Sequence, residues 1–189
     1  MGVVVASEAA NVGDVAAAVG ATVFAGDLLS TRESGGLRLR AGTAQLYLLA
    51  ESDATLREDS GTLDVTLRRG AVRFSSSQEF PLAVRAANAL IRPATTQPTH
   101  SQVMLAGPNE LVVSNFRGAL EVVVGNSVYP VPEGTTYRVM LESQEPQGPT
   151  GAGAPAARRA RAMMIFLGAA IAGAAIAFAI LHNQSPSIP

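Results

Sequence analysis

The side chains able to do chemistry are few and scattered. His100 and Ser101 stand together in Thr95-Thr96-Gln97-Pro98-Thr99-His100-Ser101, and an imidazole beside a hydroxyl is half of a nucleophile–base pair. Nucleophilic triads are assembled in space, not by adjacency, and this polar, proline-containing run reads as a loop carrying a solvated histidine. No His/Asp/Glu cluster with metal-ligand spacing surrounds His100, and a metal needs three or four ligands. Carboxylates occur as the pairs Glu51/Asp53 and Glu58/Asp59, and as Asp14 and Asp27, each directly after a glycine. Two carboxylates flanking a bond can share acid and base roles, but positions beside turn residues suit side-chain capping of turns better. Arg38 and Arg40 form one outward stripe, and Arg68, Arg69 and Arg73 a second. Phosphate neutralisation needs a basic surface and base stacking needs exposed rings. The region holding these arginines is net acidic with few aromatics, so they read as a solvated sheet face and no nucleic-acid partner is expected.

Two absences narrow the chemistry further. The 189 residues contain no cysteine, which excludes a thiolate nucleophile, disulfides and Cys-type zinc or iron–sulfur sites. All 14 cations are arginine. Without a lysine there is no P-loop, no Schiff-base centre and no kinase-type phosphate ligand. No glycine-rich loop follows a strand and opens a helix, so no nucleotide is indicated. The chain reads as a non-enzyme, with no catalytic residue, metal ligand or cofactor assigned.

The elements that would position these groups are strands. Gly36-Leu37-Arg38-Leu39-Arg40 alternates apolar and charged residues with the two-residue period of a half-buried strand. Thr62–Arg68 places Leu63, Val65 and Leu67 on one face. Thr43–Leu49, Ala71–Ser75, Phe80–Arg85, Leu111–Ser114, Leu120–Val124 and Tyr137–Leu141 have the same character. Glycine, asparagine, aspartate and proline punctuate them every eight to twelve residues, the spacing of an all-β fold. Val15–Val19 alone looks helical. Many short strands joined by tight turns suit a sandwich, a roll or a solenoid.

Composition carries one local excess. Hydrophobic residues make up 48% and charged residues 15%, with a mean hydropathy of +0.24. The apolar run Met163–Leu181 accounts for it: only Gly168 and Gly173 fall outside Ala, Ile, Leu, Met and Phe. As a helix it would extend about 28 Å, close to the roughly 30 Å hydrocarbon core of a bilayer. This predicts one C-terminal transmembrane helix over 163–181 and membrane lipid as a partner. Residues 144–162 form a Pro/Gly/Ala-rich tether. It ends in Arg158, Arg159 and Arg161, read as membrane-interface residues that meet anionic head groups. Residues 182–189 are a short polar tail. The arginines precede the span, so the positive-inside rule places the N-terminal region in the cytoplasm. Val3-Val4-Val5-Ala6 is too short for the apolar core of a signal peptide, and no cation precedes Arg32.

One run is distinctive. Gly20–Thr31 contains Gly26-Asp27-Leu28-Leu29-Ser30-Thr31, followed by Gly36–Arg40, a glycine turn at Gly42, and Leu46-Tyr47-Leu48. It resembles the core of the FecR-protein domain. That family opens on a Gly-x-Val strand, as Gly2–Val5 does, and then has a Gly-Asp turn. Its later elements resemble Gly70-Ala71-Val72-Arg73-Phe74, Gly118-Ala119-Leu120-Glu121-Val122 and Val131-Pro132-Glu133-Gly134. The resemblance covers about residues 2–141. Physical chemistry agrees at the turn: Gly26 supplies a φ that a Cβ disfavours, and Asp27 hydrogen-bonds the turn backbone. Gly26 and Asp27 are therefore assigned as a structural turn.

The resemblance implies a twisted, solenoid- or roll-like all-β domain over 1–143. It implies a non-enzymatic, membrane-anchored regulatory module with a protein partner. In the best-known members the domain is the periplasmic part of a single-pass regulator that senses a siderophore receptor and controls a sigma factor. That plan puts the domain on the periplasmic side of the inner membrane, with a leader upstream of Met1, against the side the arginines predict. Here the apolar segment follows the domain, and Ile91-Arg92-Pro93 stands where the family often has a Val-x-Gly-Thr turn, so iron signalling does not carry over. A structural envelope protein binding peptidoglycan or polysaccharide is the alternative expectation.

Overall fold

The computed structural model describes residues 2–59, 61–141 and 162–169. Among them the regular elements are all strands. They are β1 (Gly2–Val12), β2 (Val15–Ala16), β3 (Thr22–Val23), β4 (Leu28–Ala41), β5 (Ala44–Leu48), β6 (Asp53–Asp59), β7 (Thr62–Arg69) and β8 (Ala71–Ser76). Then come β9 (Leu82–Ala86), β10 (Ala89–Pro93), β11 (Thr99–Gly107), β12 (Glu110–Arg117), β13 (Leu120–Val124), β14 (Ser127–Val131), β15 (Thr135–Leu141) and β16 (Ala162–Ala169). The all-β class expected from strand spacing is the class observed.

The strands form one sheet in the order β14-β13-β10-β9-β7-β6-β4-β5-β8-β11-β12-β15-β16, with β1 alongside β4 and pairing the short β2 and β3. Neighbours are antiparallel except β7 and β9. That exception arises because β8 leaves β7 to pair β5 and β11.

The long β4 is the pivot. Its start, Leu28–Ser30, pairs β6, while its end, Leu37–Ala41, pairs β5. Two wings therefore leave β4 at different heights. The ladder cannot satisfy every backbone group at that fork, and two buried hydroxyls take over. The Ser52 N–H donates to Thr31 Oγ1 (3.0 Å), and Thr31 Oγ1 donates to Leu49 O. The Ala71 N–H donates to Ser52 Oγ (2.8 Å). Gly70 makes the approach possible: its φ is +76°, and a Cβ there would lie 2.2 Å from Ser52 Oγ.

The sheet curls so that the wings' inner faces meet. Leu37, Leu39, Leu46, Leu48, Val72, Phe74, Val103, Leu111, Val113 and Val139 from one wing join Leu56, Val65, Leu67, Val84, Ile91, Leu120, Val122 and Val131 from the other in a single buried cluster. Asn115 ties the wings together. It is fully buried. Its Nδ2 donates to Val131 O (2.9 Å) and Gly118 O (2.8 Å), and its Oδ1 accepts from Ser101 Oγ (3.0 Å). Every polar atom of its amide is thus used, which a buried amide requires.

Two sequence expectations change here. Val15–Val19 forms no helix; Val15–Ala16 pairs Asn11–Val12 as a hairpin. The helix expected over 163–181 is not formed at its start. Residues 162–169 are β16, antiparallel to β15. The apolar run suits a strand as well as a helix, and β15 offers it an unfilled ladder. Ala162 and Met164 pack against the core, and Phe166 meets Tyr137 edge-on at 5.4 Å. Residues 170–181 lie outside the described residues, as do 142–161 with Arg158, Arg159 and Arg161. No helix among the described residues is long and apolar enough to cross a membrane.

Candidate interaction surfaces

The turn before β4 comes first. Gly26 has φ +90°, and a Cβ there would meet nothing within 4 Å, so the glycine answers to conformation and not to space. Asp27 Oδ2 accepts from the Phe24 N–H (2.8 Å), and the Gly26 N–H donates to Leu56 O (2.7 Å), fastening the turn to β6. Asp27 contacts backbone, and among the described residues no three His, Cys, Asp or Glu side chains gather as a metal site would need.

His100 lies inside strand β11 and not in a solvated loop. It is half-buried, and its ring sits 5.5 Å from that of Phe116. Burial, aided by the nearby Arg73 guanidinium, pushes its pKa below the ordinary 6.5. Ser101 points the other way, into the core, where it donates to Asn115. The adjacent pair is therefore split across the two faces of a strand.

The arginines are regrouped by the sheet. Arg69 pairs with Asp53 (3.2 Å) instead of joining Arg73. Arg73 lines up with Arg38 through Tyr47: the backbone register runs Arg38↔Tyr47↔Arg73↔Gln102 across β4, β5, β8 and β11. A second row, Arg40↔Gln45↔Ser75↔His100, lies two residues along. The Arg38 guanidinium lies over the Tyr47 ring at 5.5 Å, and that of Arg73 lies over Phe116 at 5.4 Å. Arg73 also donates to Gln102 Oε1 from Nη2 (3.0 Å) and Nε (3.3 Å). Gly36 leaves room for Tyr47, whose hydroxyl would come within 2.9 Å of a Cβ there. Among the described residues Arg38, Arg40 and Arg73 have no carboxylate at ion-pair distance. By contrast Arg85 holds Asp64 (3.0 Å), Arg92 holds Glu121 (2.6 Å) and Arg138 holds Glu110 (3.0 Å).

Two of these neutralised arginines, Arg85 and Arg92, border a cleft on the other wing. It has a volume of ≈ 470 Å³ and is lined by Asp64, Arg85, Arg92, Ser77, Thr95 and Gln97, among others. Its lining mixes these polar groups with Pro81, Leu82 and Leu90, and its guanidinium charges are already balanced.

Among the described residues the sheet order ends in β14 and β16, two edges of opposite character that meet where the Ala162 N–H donates to the Tyr129 hydroxyl (3.3 Å). β14 carries Pro130, which cannot donate to a further strand, a common way of blunting an edge. β16 has no proline and no charge. Met163, Ile165, Phe166 and Leu167 are each at least 39% exposed on it. Such an edge is a template for another strand. Sequence reasoning missed it because continuous apolarity signals a membrane helix and an edge strand alike.

No protein-family model and no curated protein matches the chain. Solved structures do. Two crystal structures of a "putative anti-sigma factor" from Parabacteroides distasonis ATCC 8503 superpose with a TM-score of 0.50 at 17% identity, over 60% of this chain and 54% of that one. The chain thus spans about half the length of the structures it matches. Over that span the two share a fold.

Proposed function

We propose that this chain is a non-enzymatic regulatory module of the bacterial envelope, FecR-like in plan, tethered to the inner membrane and acting through a protein partner. The observation that carries the reading is the uncharged, proline-free strand β16 laid on the edge of β15, bulged only at Leu167. The description of the Parabacteroides distasonis protein as a "putative anti-sigma factor" supports a regulatory role. Strand addition at a sheet edge supplies backbone hydrogen bonds for affinity and alternating side chains for selectivity.

Tethering and the β16 pairing compete for the same residues. If 163–169 stay on β15, only 170–181 remain for a span, about 18 Å as a helix against a core of roughly 30 Å. Membrane insertion of 163–181 therefore withdraws β16 and bares the edge of β15. In this reading β16 holds the partner's place until the segment enters the bilayer, where Arg158, Arg159 and Arg161 meet the head groups. The test is capture of a partner strand. A chain inserted in vesicles binds its partner, and a chain with β16 cross-linked to β15 does not. Equal partner binding by both would reject the reading.

The cleft, with its mixed polar and apolar lining, favours one second reading, a structural module binding cell-wall polysaccharide. Sedimentation with purified cell wall, abolished by filling the cleft with Thr95→Trp, would support it over the first.

A further inference from the structure

We infer that the Arg38–Tyr47–Arg73 face is a docking site for an acidic protein segment in an extended, polyproline-II-like conformation, with carboxylates at every third residue. This deepens the protein-partner reading but uses a surface separate from β16. Four observations carry it.

The first is charge. Arg38, Arg40 and Arg73 lie together on one face and have no carboxylate at ion-pair distance among the described residues, whereas Arg69, Arg85, Arg92 and Arg138 are each paired. A face of uncompensated guanidiniums is complementary to an acidic ligand.

The second is order. Arg38 is laid on Tyr47, and Arg73 is laid on Phe116 and bonded to Gln102. Forks held in place lose less freedom on binding a carboxylate.

The third is what these contacts use up. Each ring has a guanidinium against it, so the surface presents hydrogen-bond donors and not bare aromatic platforms. That disfavours sugars and nucleobases, which bind by stacking, and favours carboxylates.

The fourth is spacing. Arg38 and Arg73 sit on strands separated by β5, about 9.6 Å apart across the sheet. A polyproline-II segment has three residues per turn and rises about 3.1 Å per residue, so side chains at i and i+3 share a face about 9.3 Å apart. Both guanidiniums lean the same way across the sheet, Arg38 over Tyr47 and Arg73 over Phe116, so the backbone spacing carries over to the heads in order of magnitude. No free backbone edge exists on this face, so recognition rests on side chains alone.

The test uses the full chain in neutral detergent and fluorescence anisotropy with a labelled (Glu-Pro-Pro)4 peptide. Its (Gln-Pro-Pro)4 counterpart and vesicles containing phosphatidylglycerol serve as comparisons. The Glu peptide should bind, with affinity falling as salt rises, and the Gln peptide should not. Arg38→Gln and Arg73→Gln should each weaken binding about tenfold, whereas Arg68→Gln, away from these rows, should leave it unchanged. Arg38 is exposed, so Arg38→Gln keeps the test valid if Arg73→Gln unfolds. Ile165→Lys on β16 should bind the peptide normally, which separates this site from the edge reading. Absence of peptide binding, equal binding by Arg38→Gln and wild type, or Arg38-dependent binding to vesicles without peptide binding would each overturn the inference.

Discussion

Single residues hold this fold where the ladder runs out of partners. Gly26 stands at φ +90° with empty space around it. Gly26→Val should therefore cost only backbone strain, about 1–3 kcal/mol, read as a lowered denaturation midpoint. Asp27→Ala removes one exposed side-chain-to-backbone hydrogen bond and should cost about 1 kcal/mol. If Asp27→Ala kept its melting temperature but lost partner binding, the turn would be a binding site and not a structural one. Asn115 is the harder case, because Asn115→Leu would strand Val131 O, Gly118 O and Ser101 Oγ in the core. A loss of about 2–4 kcal/mol follows from unpaired buried groups, measurable by urea unfolding. His100 adds a pH dependence. Its pKa is depressed in the folded chain by burial and by Arg73, with Arg117 opposite it in the register. The unfolded chain then binds the extra proton more readily, so stability is intact above about pH 6.5 and declines as pH falls through the folded pKa. His100→Gln should flatten that part of the curve in denaturation midpoints taken from pH 8 to 5. Little of this was legible in the sequence. Gly26-Asp27 announces its turn locally, but Asn115 and Ser101 lie fourteen residues apart and meet only once β11 pairs β12.

At the scale of elements, the legible strands were those with a buried and a wet face. Gly36–Arg40 and Thr62–Arg68 alternate, and both are strands in the structure. β6 was obscured because Asp53, Glu58 and Asp59 at its ends look like turn residues. β11 was obscured by the polar run Thr95–His100 that leads into it. The row from Arg38 to Gln102 could not be read at all, since cross-strand register is nonlocal information. β16 shows the deepest ambiguity: the same residues suit a bilayer and a vacant edge. Two substitutions separate these fates. Ile171→Arg should disfavour membrane insertion by about 2.5–3.5 kcal/mol while leaving β16 on its edge, seen as release by an alkaline carbonate wash. Ile165→Lys and Leu167→Lys together place charge on the strand and should suppress edge-to-edge association, seen in sedimentation. Deleting 158–189 removes Arg158, Arg159 and Arg161, strand β16 and the proposed span together. That protein should stay in solution after the carbonate wash, and continued pelleting with membranes would show that the anchor lies elsewhere.

For the whole molecule, one sheet bent at β4 places distinct surfaces around one core. The cationic rows lie on the outside of the β5–β8–β11 wing, the neutralised cleft lies on the β7–β9–β10 wing, and the apolar edge closes the far end. In the proposed reading the apolar segment is either an edge strand or part of a membrane span, never both at once. The native chain has no cysteine, so a single engineered pair reports on this cleanly. Met140 and Met163 are register partners on β15 and β16, and both are exposed. Facing strand positions fall within reach of a disulfide. The decisive measurement is the oxidative cross-linking yield of a Met140→Cys/Met163→Cys chain, compared between a form ending at residue 169 and the full chain embedded in vesicles. Near-complete cross-linking is expected in the shortened form and little in the carbonate-resistant, embedded chain. Equal cross-linking in both would contradict the proposed reading, because the strand and the anchor would then coexist.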